Sequence, residues 1–167
     1  MNAKNVKKLE TKGGFTLIEI LVVIGLIAVL AAIVLVAINP ARQFAQGRDA
    51  QRQSNLNAIL NAVGQRIADN KGVFAGVNAA NGFNCSPLPV VATEIKTTNA
   101  ADIINASADL GCLVPTYIPT LPSDPSGTTA PATGYFIVQD ATTGRVTVIA
   151  SSTEPSIPRT AAITIVR

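Results

Sequence analysis

The sequence predicts an α+β protein: a long N-terminal helix, its first half transmembrane, packed on a small C-terminal antiparallel β-sheet. Three patterns carry this reading. Residues 20–38 form an unbroken apolar run. Leu56, Ile59, Leu60, Val63 and Ile67 then recur at helical spacing as an amphipathic stripe. Two arms rich in Val, Thr and aromatic residues, 134–139 and 145–150, flank Asp140-Ala141-Thr142-Thr143-Gly144 and read as an antiparallel hairpin.

The chain opens with a basic leader. Residues 1–14 carry Lys4, Lys7, Lys8 and Lys12 against Glu10, which accounts for the whole net charge of +3. The remaining basic and acidic residues cancel, so the charge is no sign of nucleic-acid binding. By the positive-inside rule these lysines place the N-terminus in the cytoplasm and everything after Ile38 outside. As a helix, residues 15–38 span about 36 Å, enough to cross a hydrocarbon core. The run is longer than a secretory h-region, and Leu35 occupies a position that should be small for a cleavage site near Ala37. Glu19 is the anomaly. An acid at mid-bilayer costs roughly 2.5–3.5 kcal/mol, relieved in part here by nearness to the interface. An ordinary anchor gains nothing from it. A subunit that leaves the bilayer to join a polymer can use it.

Lys12-Gly13-Gly14-Phe15-Thr16-Leu17-Ile18-Glu19, with the apolar run behind it, resembles the class III signal of the type IV pilin and pseudopilin family. The resemblance is close over residues 12–38 and looser beyond. It implies cleavage between Gly14 and Phe15 by a membrane prepilin peptidase, followed by N-methylation of the Phe15 amine. It also implies that Glu19 pairs with the Phe15 amine of a neighbouring subunit. Elementary electrostatics agrees, because opposite charges attract strongly in a low-dielectric core and an unpaired charge there is heavily penalised. Such a pair would set axial register more than net stability.

Further along, Ala28 and Ala32, with Gly25, either form a small-residue face for close helix approach in lipid or reflect ordinary membrane composition. Relatives commonly carry a proline within the membrane segment. Here Pro40 stands at its end, where it is expected to kink the helix. Residues 46–55, with Arg48, Asp49 and Arg52, are polar nearly all round and read as a solvated neck. The helix is expected to stop near Asn70, with Gly72 as its terminator. Residues 72–133 are rich in Gly, Asn, Pro, Ala and Thr. A short helix is expected over 100–110 and an extended segment over 113–119, where Pro115 and Pro119 block a helix. Residues 162–166 supply a third strand. The expected divisions are 1–14, a cleaved leader; 15–38, the transmembrane and polymerisation half-helix; 39–70, the amphipathic half-helix; and 71–167, the globular head.

The inventory of reactive groups is sparse. The chain has no His, the commonest general base and metal ligand. Ser and Thr have no imidazole to activate them, and no phosphate-cradling loop is present. No enzymatic activity and no cofactor are expected. Cys85 and Cys112 are spaced for neither a zinc site nor a redox pair. In an oxidising exterior a disulfide is the natural reading, with two buried thiols as the alternative. Leu121-Pro122-Ser123-Asp124-Pro125-Ser126-Gly127 resembles the LPxDPxG loop of the major pseudopilins of type II secretion, which lies near a calcium site in those proteins. Asp124 alone falls far short of a calcium shell, so no metal is expected and Asp124 is the only weak candidate; it reads better as a residue shaping a Pro-rich turn. Arg42, Arg48 and Arg52 are expected to be exposed and could touch DNA, but without interleaved aromatics nucleic acid is not an expected partner.

The resemblance therefore implies a structural subunit of a type IV pilus-type filament. Its implied partners are further copies or other pilin subunits, prepilin peptidase/methyltransferase, an inner-membrane assembly platform and ATPase, and membrane lipid before assembly. It would be single-pass in the cytoplasmic membrane, N-terminus in, and then part of an extracellular filament. Two alternatives remain: a type II secretion pseudopilin, favoured by the LPSDPSG loop, and an anchored binding domain that never polymerises.

Overall fold

The computed structural model describes residues 13–97, 108–152, 154–157 and 161–167. The chain divides into two compact units, with the boundary between Pro40 and Ala41. The first contains helix α1, Leu17–Ala37, none of whose residues is buried. An isolated helix of Leu, Ile, Val and Ala holds its own backbone bonds but leaves its apolar surface uncovered, which suits lipid or other helices rather than water.

The expected continuous helix is in fact two. The Ile38 N–H still bonds Val34 O at 3.0 Å, but Asn39 is non-helical and α2 begins afresh at Pro40, running Pro40–Asp69. Proline disfavours helical geometry in the residue before it, yet suits the first helical position, where its missing N–H is not needed. Pro40 thus ends one helix and starts the next, where a kink was expected.

The second unit, here called the head, is built on α2. The helix stops where expected. Gly72 N–H bonds Ile67 O at 2.8 Å, closing the terminal turn. The left-handed residue that makes this possible is Lys71 (φ 56°), with Gly72 following it. Strands β1 (Gly76–Val77) and β2 (Asn84–Cys85) form a small antiparallel pair. Buried Arg66, near the end of α2, pins the first of them by donating to Gly76 O at 2.9 Å and Val77 O at 3.3 Å.

Five further strands make the main sheet: β3 (Thr93–Lys96), β4 (Ala108–Asp109), β5 (Ala132–Gln139), β6 (Val146–Ala150) and β7 (Ile163–Val166), in the order β4-β3-β5-β6-β7. The hairpin expected from the sequence is β5–β6, with Gln139 opposite Val146, and the third strand is β7. The sheet is mixed where antiparallel pairing was expected throughout, because β3 and β4 run parallel. Alternation along β5 and β6 buries Tyr135, Ile137, Val146, Val148 and Ala150. These share one core with Leu56, Ile59, Leu60 and Val63 of α2. Each buried aliphatic side chain there contributes roughly 1.5–3 kcal/mol by leaving water.

One loop expectation fails, and another lies mostly outside the described residues. Of the short helix expected over 100–110, residues 100–107 lie outside the described residues, and 108–109 are strand β4. The segment 113–119 is not extended. A 3-10 turn, Gly111–Leu113, leads into further turns, with Tyr117 N–H on Leu113 O at 2.8 Å. Prolines forbid a continuing helix but permit turns, and burial of Cys112 and Leu113 draws the segment inward.

Candidate processing and assembly site

Gly13 and Gly14 precede α1 without regular structure. A Cβ added to either would meet nothing within 4 Å, and neither has a positive φ. The fold of this chain therefore does not require glycine at these positions. Phe15 follows, 86% exposed.

Thr16 caps the helix. Its Oγ1 accepts from Glu19 N–H at 3.3 Å, and Glu19 Oε2 accepts from Thr16 N–H at 2.7 Å and from Thr16 Oγ1 at 2.8 Å. This reciprocal arrangement is a capping box, which satisfies two of the orphan donors at a helix start. It also fixes where the carboxylate lies: in the first turn, near the positive end of the helix dipole, on the N–H of Thr16, the residue that follows Phe15. Behind it, α1 is long and apolar enough to cross a membrane.

In the head, a second polar cluster forms around a residue the sequence placed in solvent. Arg52 is 0% exposed. Its Nε donates to Asp124 Oδ2 at 2.9 Å and its Nη2 to Asp124 Oδ1 at 3.1 Å. Its Nη1 donates to Asp49 Oδ1 at 2.9 Å and Glu154 Oε1 at 2.7 Å, and Nη2 also reaches Ser126 Oγ. All five N–H donors of the guanidinium are thus engaged. Arg48 clasps Glu154 from the other side, with Nε on Oε1 at 2.8 Å and Nη2 on Oε2. The bonds from Arg48, reinforced by Arg52, outweigh burial and push the Glu154 carboxyl down to about 2. Burial raises the Asp124 carboxyl, but its bonds to Arg52 and Ser126 prevail and leave it below the ordinary carboxylate range.

The solvated neck is therefore corrected: Asp49 and Arg52 are buried. The DNA-contact idea loses Arg52 for the same reason. A signal was present. Ala45, Asp49, Arg52, Leu56, Ile59 and Val63 continue one helical stripe, and all are buried. Asp124 also shapes its turn as expected, since its Oδ1 accepts from Ser126 N–H at 2.8 Å. Cys85 and Cys112 are joined in a disulfide, with Cα atoms 5.4 Å apart, linking β2 to the 3-10 turn. Among the described residues no group of three or more His, Cys, Asp or Glu is arranged to hold a metal ion.

Comparison with known proteins bears on the N-terminal segment. No curated protein and no solved structure matches the chain. The family model described as the prokaryotic N-terminal methylation motif matches residues 11–35, which span the glycines, Phe15, the capping box and most of α1. The matched segment is the class III signal found in type IV pilins and pseudopilins.

Proposed function

We propose that the protein is a structural subunit of a type IV pilus-type filament. The peptidase cuts between Gly14 and Phe15, and the new Phe15 amine is methylated. The subunit waits in the cytoplasmic membrane with its head outside, and then assembles through α1 with copies of itself or with other pilin subunits. A platform and ATPase in the inner membrane drive extraction. Glu19 pairs with the Phe15 amine of a neighbour.

The observation that carries this reading is one coincidence. The methylation motif ends in a 21-residue apolar helix of which nothing is buried. The motif supplies the processing signal and the bare helix supplies the surface that polymerisation would cover. Two details support it. Gly13 and Gly14 are not needed by the fold, which is consistent with recognition by another protein. Glu19 is held beside the segment that cleavage would turn into a free amine. Head-to-tail packing of such subunits gives an open helical polymer.

The pseudopilin alternative rested on the LPSDPSG loop. In this chain the loop's Asp124 is committed to Arg52, which weakens that argument. Filament recovery from cells producing Glu19→Ala tests the assembly role. Normal processing with loss of sheared filaments is expected. Undiminished filaments would contradict the pairing role, whereas absence of this protein from wild-type filaments would favour the anchored, non-polymerising domain.

A further inference from the structure

The polar cluster of the head joins three parts of the chain that are distant in sequence. Asp49 and Arg52 come from α2, Asp124 and Ser126 from the loop before β5, and Glu154 from the segment after β6. Three carboxylates converge on one point. In a protein lacking a cation there, their mutual repulsion would drive the three segments apart, and a divalent ion is a common remedy.

The donor set does not fit such an ion. Calcium takes six to eight oxygen ligands as a compact shell. Here the oxygens surround a planar fork. Both Asp124 oxygens already accept from Arg52, and Oδ1 also accepts from Ser126 N–H. Asp49 Oδ1 and Glu154 Oε1 share Nη1 of the same guanidinium. Arg48 occupies the far side of Glu154. A metal ion placed among these oxygens would sit against a fully buried positive charge.

We propose that Arg52 is the head's built-in cation, holding Asp49, Asp124 and Glu154 together so that the 121–127 loop folds without calcium. Arginine suits the task where lysine would not, because five donors in a fixed plane match five separate oxygens. The position also has a consequence in the fold. Asp124 N–H bonds Thr133 O at 2.8 Å, so the clamp fixes the loop against the start of β5. Environmental calcium would then have no hold on the shape of the head, whichever filament it serves.

The test is thermal unfolding of the whole processed chain in detergent micelles, followed by circular dichroism, in millimolar calcium and in excess EDTA. The wild type is expected to melt at the same temperature in both. Asp124→Asn is expected to melt about 5 °C or more lower, by the same amount with and without calcium. A wild type that melts about 5 °C or more higher in calcium than in EDTA, with that gain lost in Asp124→Asn, would overturn the proposal. Arg52→Gln provides a second arm. It is expected to melt about 10 °C or more below the wild type in EDTA, and an unchanged midpoint would equally overturn it. If Arg52→Gln does not fold, the wild-type and Asp124→Asn melts still decide.

Discussion

The Arg52 guanidinium grips both carboxylate oxygens of Asp124, Nε to Oδ2 at 2.9 Å and Nη2 to Oδ1 at 3.1 Å, across 72 residues of sequence. Neither side chain is exposed to a meaningful degree. Breaking a buried pair by removing one partner costs about 3–5 kcal/mol, since the other charge is left uncompensated. Asp124→Ala and Arg52→Met are each expected to destabilise the head by about that amount. Combined, they should cost less than the sum, with a coupling of about 2 kcal/mol in chemical denaturation. Strict additivity would show that the pair does not act as a unit.

The same cluster sets the acid response. Glu154 and Asp124 have folded pKa values below their ordinary ones, Glu154 at about 2 against 4.5. A carboxylate with a depressed folded pKa contributes stability that is fully present above its unfolded pKa and lost as pH falls towards the folded one. The midpoint of unfolding should therefore stay level from neutral pH down to about 5 and fall steadily between about 4.5 and 2. Glu154→Gln should be less stable at neutral pH and show a shallower acid slope. An identical slope in the variant would remove Glu154 from the account.

Gly134 lets the clamp reach the sheet. Its φ is 77°, and a Cβ there would lie 2.8 Å from Thr128 Cγ2 and 3.0 Å from Asp124 Cβ. Both backbone strain and overlap oppose any side chain at this point. Gly134→Ala is expected to cost about 1–3 kcal/mol, read as a lower denaturant midpoint. A neutral result would mean that the loop does not depend on close approach to β5.

The Cys85–Cys112 bond closes a loop with a sequence separation of 27, and by chain entropy a closure of this size stabilises by roughly 3–4 kcal/mol. Reductant should lower the melting midpoint. The Cys85→Ser, Cys112→Ser double variant should melt near the reduced wild type and ignore reductant. A reductant effect that persists in the double variant would point to another cause.

The legible parts of the fold were those with a local periodic signal. The apolar run became α1, the stripe from Leu56 became the buried face of α2, and the β5–β6 hairpin announced itself by its arms and turn. What was missed depended on contacts distant in sequence. Arg52 looked like solvent chemistry because two of the three carboxylates that neutralise it lie 72 and 102 positions away. Its place on the Ala45–Leu56 stripe was the available clue, obscured because charge outweighs spacing in a hydrophobic pattern. The parallel β3–β4 pair had no signal, since β4 is two residues long. The turns after Cys112 follow from burial of Leu113, a tertiary effect, whereas prolines alone suggested only the absence of helix. At the N-terminus the processing motif was readable outright, while the capping box between Thr16 and Glu19 added a structural role to a residue singled out for its charge.

Processing at the Gly14–Phe15 bond is the step on which the proposed assembly depends. The decisive measurement is the N-terminal residue and intact mass of the protein extracted from membranes. A chain beginning at N-methylated Phe15 is the predicted result. A chain still carrying residues 1–14, or one beginning near Asn39 after conventional signal cleavage, would contradict it.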